Sequence, residues 1–305
     1  MLKLLMIRSC FVLFLAAASA VAQVNTNPKL QKGQRYQVEV TSTRDSGKGP
    51  ALGGVANIEM AVMEAGQYGS RLSWTVQDSQ LANPEQAGNA LIKKMMDATK
   101  GFRVEFQLAP DGHFEKVTNQ EQVKSMMQKV TNQLLAEVQT SIKDDQARQA
   151  FERTVKQVVS PDKLVESAAR DAIMIFGLAG SGVQQGKPVK MKVLTPSPLG
   201  AGQLESEMSI SVTKVDKAKG EFLVTTVQQY DPKTLQEAAK ALMSSMGAAA
   251  KNSAAQMPPV DVVDTVEYTM ESASGLPKKV VHTRKISTNG NVGRMDRKQI
   301  VIKKA

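Results

Sequence analysis

The chain contains almost no cysteine, since Cys10 is the single one among 305 residues. It lies in an N-terminal segment that we expect to be removed, so the mature chain is predicted to have none. That absence excludes disulfide bonds, thiolate metal ligands and cysteine nucleophiles from the mature protein. Stability must therefore come from packing, and the remaining length, about 283 residues, allows one large domain or two of ordinary size.

Histidine is almost as scarce, with only His113 and His282. Zinc sites and catalytic triads depend on histidine because it titrates near neutral pH and its ring nitrogens bind metals well. Neither histidine has ligands or catalytic partners at a recognisable spacing. The carboxylate pair Asp261 and Asp264 is interpreted as solvated surface. We therefore predict no catalytic residue, no metal site and no cofactor.

Long apolar runs are absent after the N-terminus. The first 22 residues place Lys3 and Arg8 before an apolar block, Ser9 to Ala22, that ends in small residues. This is the pattern of a secretory signal peptide, and the block is shorter than the ~20 residues of a membrane-spanning helix. A lipid anchor on Cys10 is not expected, because that residue precedes the block. We predict cleavage after Ala22, no later transmembrane segment, and a location in the periplasm or the medium.

The formal charge of +10 is unevenly distributed. Two of the positive charges, Lys3 and Arg8, belong to the predicted signal peptide. From Lys278 onward there are nine Lys and Arg residues and one acidic residue, Asp296. Such a stretch can be a solvated face or a lysine-rich edge strand, or it can attract an anionic partner such as a lipid or an envelope polymer. Nucleic acid is not expected, because positions 278–305 contain no aromatic residue. The candidates for an anionic partner are Lys278, Lys279, Arg284, Lys285, Arg294, Arg297 and Lys298.

Two segments of the chain share one pattern. The stretches GQRYQVEV at 33–40 and GKPVKMKV at 186–193 each begin three successive segments of alternating apolar and polar residues. A period of two marks half-buried strands, and three in succession predict an antiparallel meander. The meanders, Tyr36 to Val76 and Val189 to Thr226, should be structurally equivalent.

A helix and a hairpin follow each meander in this interpretation. Asn83-Pro84 and Asp231-Pro232 each combine a helix N-cap residue with proline at the first helical position. The helices carry methionine on their apolar faces, and methionine suits either an irregular core or an adaptable apolar cavity. The candidates for contact with an apolar ligand are Met95, Met96, Met243, Met246 and Trp74.

The predicted fold class is therefore α+β. It comprises two tandem copies of a three-strand meander, helix and hairpin that form one or more curved sheets. The boundaries are a signal peptide at 1–22, repeat A at 23–118, a helical insertion at 119–177 and repeat B, with the basic C-terminal strands, at 178–305.

Two short stretches carry a resemblance to a family. The strand start LQKGQRYQVEV at 30–40 and the hairpin FQLAPDGHFEKV at 106–117 resemble an uncharacterised family of exported bacterial proteins. That resemblance implies antiparallel β structure and export, and it supplies no catalytic residues. By architecture alone, the chain is also similar to envelope lipid carriers that curve an antiparallel sheet around an apolar cavity under helices.

These features favour a non-enzymatic envelope protein that binds an amphiphile or an envelope partner. Two alternatives stay open: a hydrolase with an unrecognised Ser, Asp or Glu site, and a purely structural or assembly protein. The ligand and the oligomeric state do not follow from the sequence.

The mature protein should begin near Gln23, because the small residues before it fit a signal-peptidase site. N-terminal sequencing of protein recovered from an exporting bacterium checks this expectation. A chain that begins at Met1, or a lipid on Cys10, would contradict it.

Overall fold

The computed structural model describes residues 24–47, 49, 51–82, 96–141, 144–145, 149, 161–198, 203–245 and 258–305. Within them lie three helices, α1 Gln120–Ser141, α2 Pro161–Ile175 and α3 Pro232–Ser245, and a short helical segment at 96–99. The strands are β1 Arg35–Asp45, β2 Leu52–Gly66, β3 Gly69–Leu81, β4 Arg103–Leu108, β5 Phe114–Val117, β6 Val189–Pro196, β7 Gln203–Asp216, β8 Glu221–Tyr230, β9 Val260–Glu271, β10 Pro277–Thr288 and β11 Asn291–Lys304.

All eleven strands form one antiparallel sheet in the order β5-β4-β3-β2-β1-β11-β10-β9-β8-β7-β6. The protein is therefore mostly antiparallel β, and the predicted α+β class is wrong. The strands run well beyond their alternating apolar centres. Thr43 to Asp45 and Leu52 to Gly54, the two ends of the glycine- and proline-rich stretch 43–54 between the first two strands, extend β1 and β2 because β1 is hydrogen-bonded on both sides.

Strand order is the same in the two halves of the chain. β1, β2 and β3 are neighbours, as are β6, β7 and β8, and each predicted meander is present. In both halves the next strand, β4 or β9, pairs with the third strand of its meander. Whether the halves superpose as a true internal repeat, with the boundaries given above, stays a prediction.

The start of α3 follows the predicted chemistry. Asp231 Oδ1 accepts the backbone N–H groups of Lys233 at 3.0 Å and Thr234 at 2.9 Å. This is the N-cap arrangement that satisfies donors left free in the first turn of a helix. The helix then buries Leu235 against Leu204, Tyr230 and Val262 of the sheet.

One face of the sheet, which we call the inner face, carries the main core. Alternate residues of each strand point towards it, as Tyr36, Val38 and Val40 do in β1. α1 and α2 contribute buried side chains to the same cluster, and the Phe106 ring lies 6.0 Å from that of Phe176, just after α2. The other face is the outer face. No helix in the described ranges is both long and apolar enough to cross a bilayer.

The N-terminal segment shows that the sheet is curved. β4 and β10 are five strands apart, so in a flat sheet their ends would be about 24 Å apart. Nevertheless, the turn after β4 and the turn before β10 contact two consecutive residues of the N-terminal segment, Pro28 and Asn27. A Cβ added to Gly112 would lie 2.2 Å from Cδ of Pro28, and one added to Gly275 would lie 2.1 Å from the backbone oxygen of Asn27. Both turns therefore meet at this end of the sheet, which we call the closed end.

Hydrogen bonds fix this arrangement. The N–H of Lys29 donates to the carbonyl of Ser274 at 2.7 Å, and the N–H of Gly180 donates to Oδ1 of Asn27 at 3.0 Å. The segment 24–32 thereby ties the turn between β9 and β10 to the loop after α2. The opposite end of the inner face, where β1 ends and β2 begins, is the open end.

Replacing Gly275 by Ala should destabilise the protein more than replacing Gly290. Both glycines have positive φ, 68° and 78°, so each variant should lose about 1 to 2 kcal/mol from left-handed backbone strain. At Gly290 a Cβ would meet nothing within 4 Å, whereas at Gly275 it would also displace the backbone of Asn27, at a further cost of about 1 to 3 kcal/mol. Urea denaturation measures both. Equal losses would show that the closed end does not depend on this contact.

Candidate functional site

The inner face changes character between its two ends. Towards the closed end, neighbouring strands place apolar residues side by side, as with Tyr268, Val280 and Ile300. Four residues along the strands towards the open end, Asp264 pairs with Arg284, Arg284 with Asp296, and Asp296 with Arg44. Negative and positive side chains thus alternate across four adjacent strands, β9, β10, β11 and β1.

Asp264 is the centre of this arrangement. Only 6% of its surface is exposed. Its Oδ1 accepts from Nε of Arg284 at 2.8 Å and lies 3.0 Å from Nε2 of His282, and its Oδ2 accepts from Nη2 of Arg284 at 2.7 Å. Burial by itself would raise the pKa of Asp264, but hydrogen bonds from His282 and Arg284 and the charge of Arg284 lower it to about 2.

Tyr230 extends the network to β8. Its hydroxyl donates to Oδ2 of Asp264 at 3.2 Å. Burial and the negative charge of Asp264 raise the pKa of Tyr230 to about 12. Gln228, on the same strand and face, donates to Oγ1 of Thr195 and Oγ of Ser206, each at 2.8 Å. The polar surface therefore continues to β6 and β7.

A second carboxylate, Asp296, is shared by two arginines. Nε of Arg44 lies 3.1 Å from its Oδ1 and Nε of Arg294 lies 2.9 Å from the same oxygen, while Nη2 of Arg294 bonds Oδ2. Although burial acts in the opposite direction, Arg294 and Arg44 lower the pKa of Asp296. Lys298, two residues along β11, bonds Asp171 of α2 and so links the sheet to that helix. We call the nine residues of these two networks and of the Lys298–Asp171 pair the charged cluster: Arg44, Asp171, Tyr230, Asp264, His282, Arg284, Arg294, Asp296 and Lys298.

The basic C-terminal stretch does not form one patch. Arg284, Arg294 and Lys298 lie on the inner face, each bonded to a carboxylate. By strand alternation their neighbours Lys285 and Arg297 lie on the outer face. Lys279 lies on the outer face as well, and Lys278 pairs with Glu221 at 3.0 Å and Glu271 at 3.5 Å.

The residues predicted to contact an apolar ligand lie in different parts of the structure. Trp74 is buried on the inner face of β3, beside Met60 and Val104. Met96 is half-buried, and its Cε lies 3.8 Å from where a Cβ of Gly54 would be, on the inner face near the open end. Met95 and Met246 lie outside the described residues, as does the side chain of Met243, whose backbone belongs to α3.

Two sequence interpretations need correction. Asp264 is not solvated surface, because it lies in the middle of β9 and is buried by its partners. His282 does have a carboxylate partner, which linear spacing could not reveal because the two residues lie on adjacent strands. The alternation of Val262, Asp264, Tyr268 and Met270 contained the signal, since it places Asp264 on the face that carries the core. Arg44, Asp171, Tyr230 and Asp296 were also missed as site residues.

The charged cluster consists of ion pairs and hydrogen bonds among side chains of the sheet and α2. In the described part of the chain, no serine or threonine hydroxyl hydrogen-bonds to His282, and no group of three metal-ligating side chains is present. Two cavities, of about 480 and 410 Å³, lie at the closed end, and their linings include Gly66, Gly69, Gly180 and Gly182. The charged cluster is thus the site at which titratable groups converge.

Comparison with known proteins identifies no family for this chain. No protein-family model matches the chain, and no curated protein matches it. Among solved structures, it is similar to one titled lipid–protein interactions in lipovitellin, with 9% sequence identity and a TM-score of 0.41. That match covers 90% of this chain and 25% of the other, so this chain spans about a quarter of the other's length. A similarity this distant carries no weight for function.

Acid should weaken the fold through Asp264. Its pKa in the folded state, about 2, lies below the ordinary 3.8, so the stabilisation is complete above pH 5 and is lost as the pH falls towards 2. The shift corresponds to about 2 kcal/mol of unfolding free energy. Asp264→Asn should remove this part of the pH dependence, measured by urea denaturation from pH 7 to pH 2.

The matched control is Asp261→Asn, an exposed position on the outer face of the same strand, which should keep the wild-type pH curve. If Asp264→Asn also kept it, the ion pair would not contribute as described.

Proposed function

We propose that this protein is an exported, non-enzymatic bacterial envelope protein that binds an amphiphile on the inner face of its sheet. The observation that carries the proposal is the gradient along that face, from apolar rows to the charged cluster. An amphiphile also has an apolar part and a polar part. Its tail can therefore contact the apolar part of the face while its head contacts the charged cluster.

The tail is assigned to the flank formed by β2 and β3. Leu52 pairs with Arg44, lies on the inner face and is 55% exposed, although leucine is normally buried. Met96 lies close by over Gly54, and the half-buried Val76 continues the apolar surface along β3 towards Trp74. A tail that leaves the charged cluster along this flank would therefore contact apolar groups.

The accessible part of this flank extends along the strand. Leu52 and the half-buried Ala56 both lie on the inner face of β2, four residues or about 13 Å apart along a strand. A small polar ligand would leave these apolar groups uncovered. The proposed ligand class is therefore one with an extended apolar part, as in a lipid or a lipid-modified molecule.

The competing functions predict different results from the same preparation. Native mass spectrometry of protein purified without detergent should detect a co-purifying amphiphile. A stoichiometric adduct with a serine-directed probe would instead indicate a hydrolase. Neither signal would be expected from a protein with a purely structural role.

Met96→Asp and Leu52→Asp should reduce amphiphile binding about tenfold or more, because each places a charge in the path of the tail. Leu52 is exposed, so its variant should fold normally. The matched control is Met295→Asp, which introduces the same group at a position 36% exposed on the outer face.

Binding is measured by titration with a fluorescent fatty acid, and thermal unfolding monitors the fold of each variant. If Leu52→Asp and Met295→Asp both bound with wild-type affinity, the tail would not lie on this flank.

A further inference from the structure

We infer that the charged cluster binds the acidic group of the amphiphile, a phosphate or carboxylate, through Arg44 and Arg294. This inference rests on the proposed function and names the chemical class of the ligand's head. It is carried by the charge balance of the cluster, by the free donors of the two arginines and by their position beside the tail surface.

The cluster carries more cations than anions. Arg44, Arg284, Arg294 and Lys298 face three carboxylates, those of Asp171, Asp264 and Asp296. These four cations exceed the three carboxylates by one positive charge, with His282 left out of the count. The excess lies at Asp296, because a single carboxylate there serves two guanidinium groups. An anionic group would balance that charge.

The four cations differ in what they can still bind. Arg284 uses Nε and Nη2 on the buried Asp264, so its role is to hold that carboxylate in place. Arg44 contacts Asp296 only through Nε, and its side chain is 56% exposed. The side chain of Arg294 is 37% exposed. A guanidinium has five N–H donors, so both arginines keep donors for a second acceptor in the planar geometry that suits phosphate and carboxylate.

The tail surface begins beside these donors. Leu52 of β2 is the cross-strand partner of Arg44, so an acid bound to Arg44 and Arg294 has an exposed apolar side chain next to it. Water-exposed lysines and arginines that lack an apolar neighbour would attract any anion. The juxtaposition of surplus charge and exposed leucine selects for anions that also carry an apolar chain.

The test uses two lipids that differ in the acidic group of the head, lysophosphatidylglycerol and an uncharged monoacylglycerol of the same chain length, titrated against the full mature protein below their micellar concentrations. Wild type should bind the anionic lipid more tightly. Arg294→Gln should weaken binding of the anionic lipid roughly tenfold, the loss expected for one charge-assisted hydrogen bond. It should leave the uncharged lipid nearly unaffected.

A second variant acts in the opposite direction. Asp296→Asn removes the carboxylate that competes for both arginines, so it should tighten binding of the anionic lipid while lowering thermal stability. A purely structural ion pair would predict the loss of stability without the gain in affinity. The matched control is Arg297→Gln, the neighbour that lies on the outer face and should change neither.

The outcomes are distinguishable. Equal affinity for the two lipids in wild type, with no shift in Arg294→Gln or Asp296→Asn, would overturn the headgroup site and leave the proposed function intact. Absence of binding to either lipid would contradict both the headgroup site and the proposed function. Competition by millimolar inorganic phosphate alone, without lipid selectivity, would assign the site to a free anion and overturn the headgroup. Should Arg294→Gln unfold, Arg44→Gln at the more exposed position provides the same test.

Discussion

The pairing of β1 with β11 is the constraint on which the rest of the structure depends. Ten residue pairs, from Tyr36 with Lys304 to Asp45 with Met295, join the first strand of the described chain to the last. Without this ladder the two halves would be separate five- and six-stranded sheets, each with an exposed apolar face. With it, they share one inner face, and Arg44 of the first half meets Asp296 of the second.

Ion pairs between neighbouring strands explain why charged residues can lie on a face that carries the core. Removing an isolated carboxylate from water costs several kcal/mol, and a bidentate arginine together with further hydrogen bonds offsets most of that cost. Asp264 has such partners, whereas Asp296 shares its charge between two arginines. Packed apolar residues would stabilise the sheet at least as well. The ionic row, with its surplus positive charge at the open end, is therefore better explained as a binding surface than as a source of stability.

The sequence predicted local features well and long-range ones poorly. Alternation located the strands of both meanders, and Asp231-Pro232 marked the start of α3, because each depends on residues within one element. The union of the halves into one sheet could not be predicted, since it depends on contacts between residues 250 to 268 positions apart. His282 seemed isolated because its partner Asp264 lies on the adjacent strand, opposite Arg284. β1 and β2 also extend into the glycine-rich stretch between them, because cross-strand pairing outweighs local loop propensity there.

The central claim, that an amphiphile lies along the inner face with its head at the open end, can be tested with a single natural reporter. Trp74 is the only tryptophan of the chain, and it lies on that face beyond Val76. Its fluorescence should be quenched at one equivalent of a fatty acid brominated near the end of its chain, and much less by one brominated beside the carboxylate. Stoichiometric binding of both fatty acids with undiminished Trp74 fluorescence would contradict this placement of the ligand.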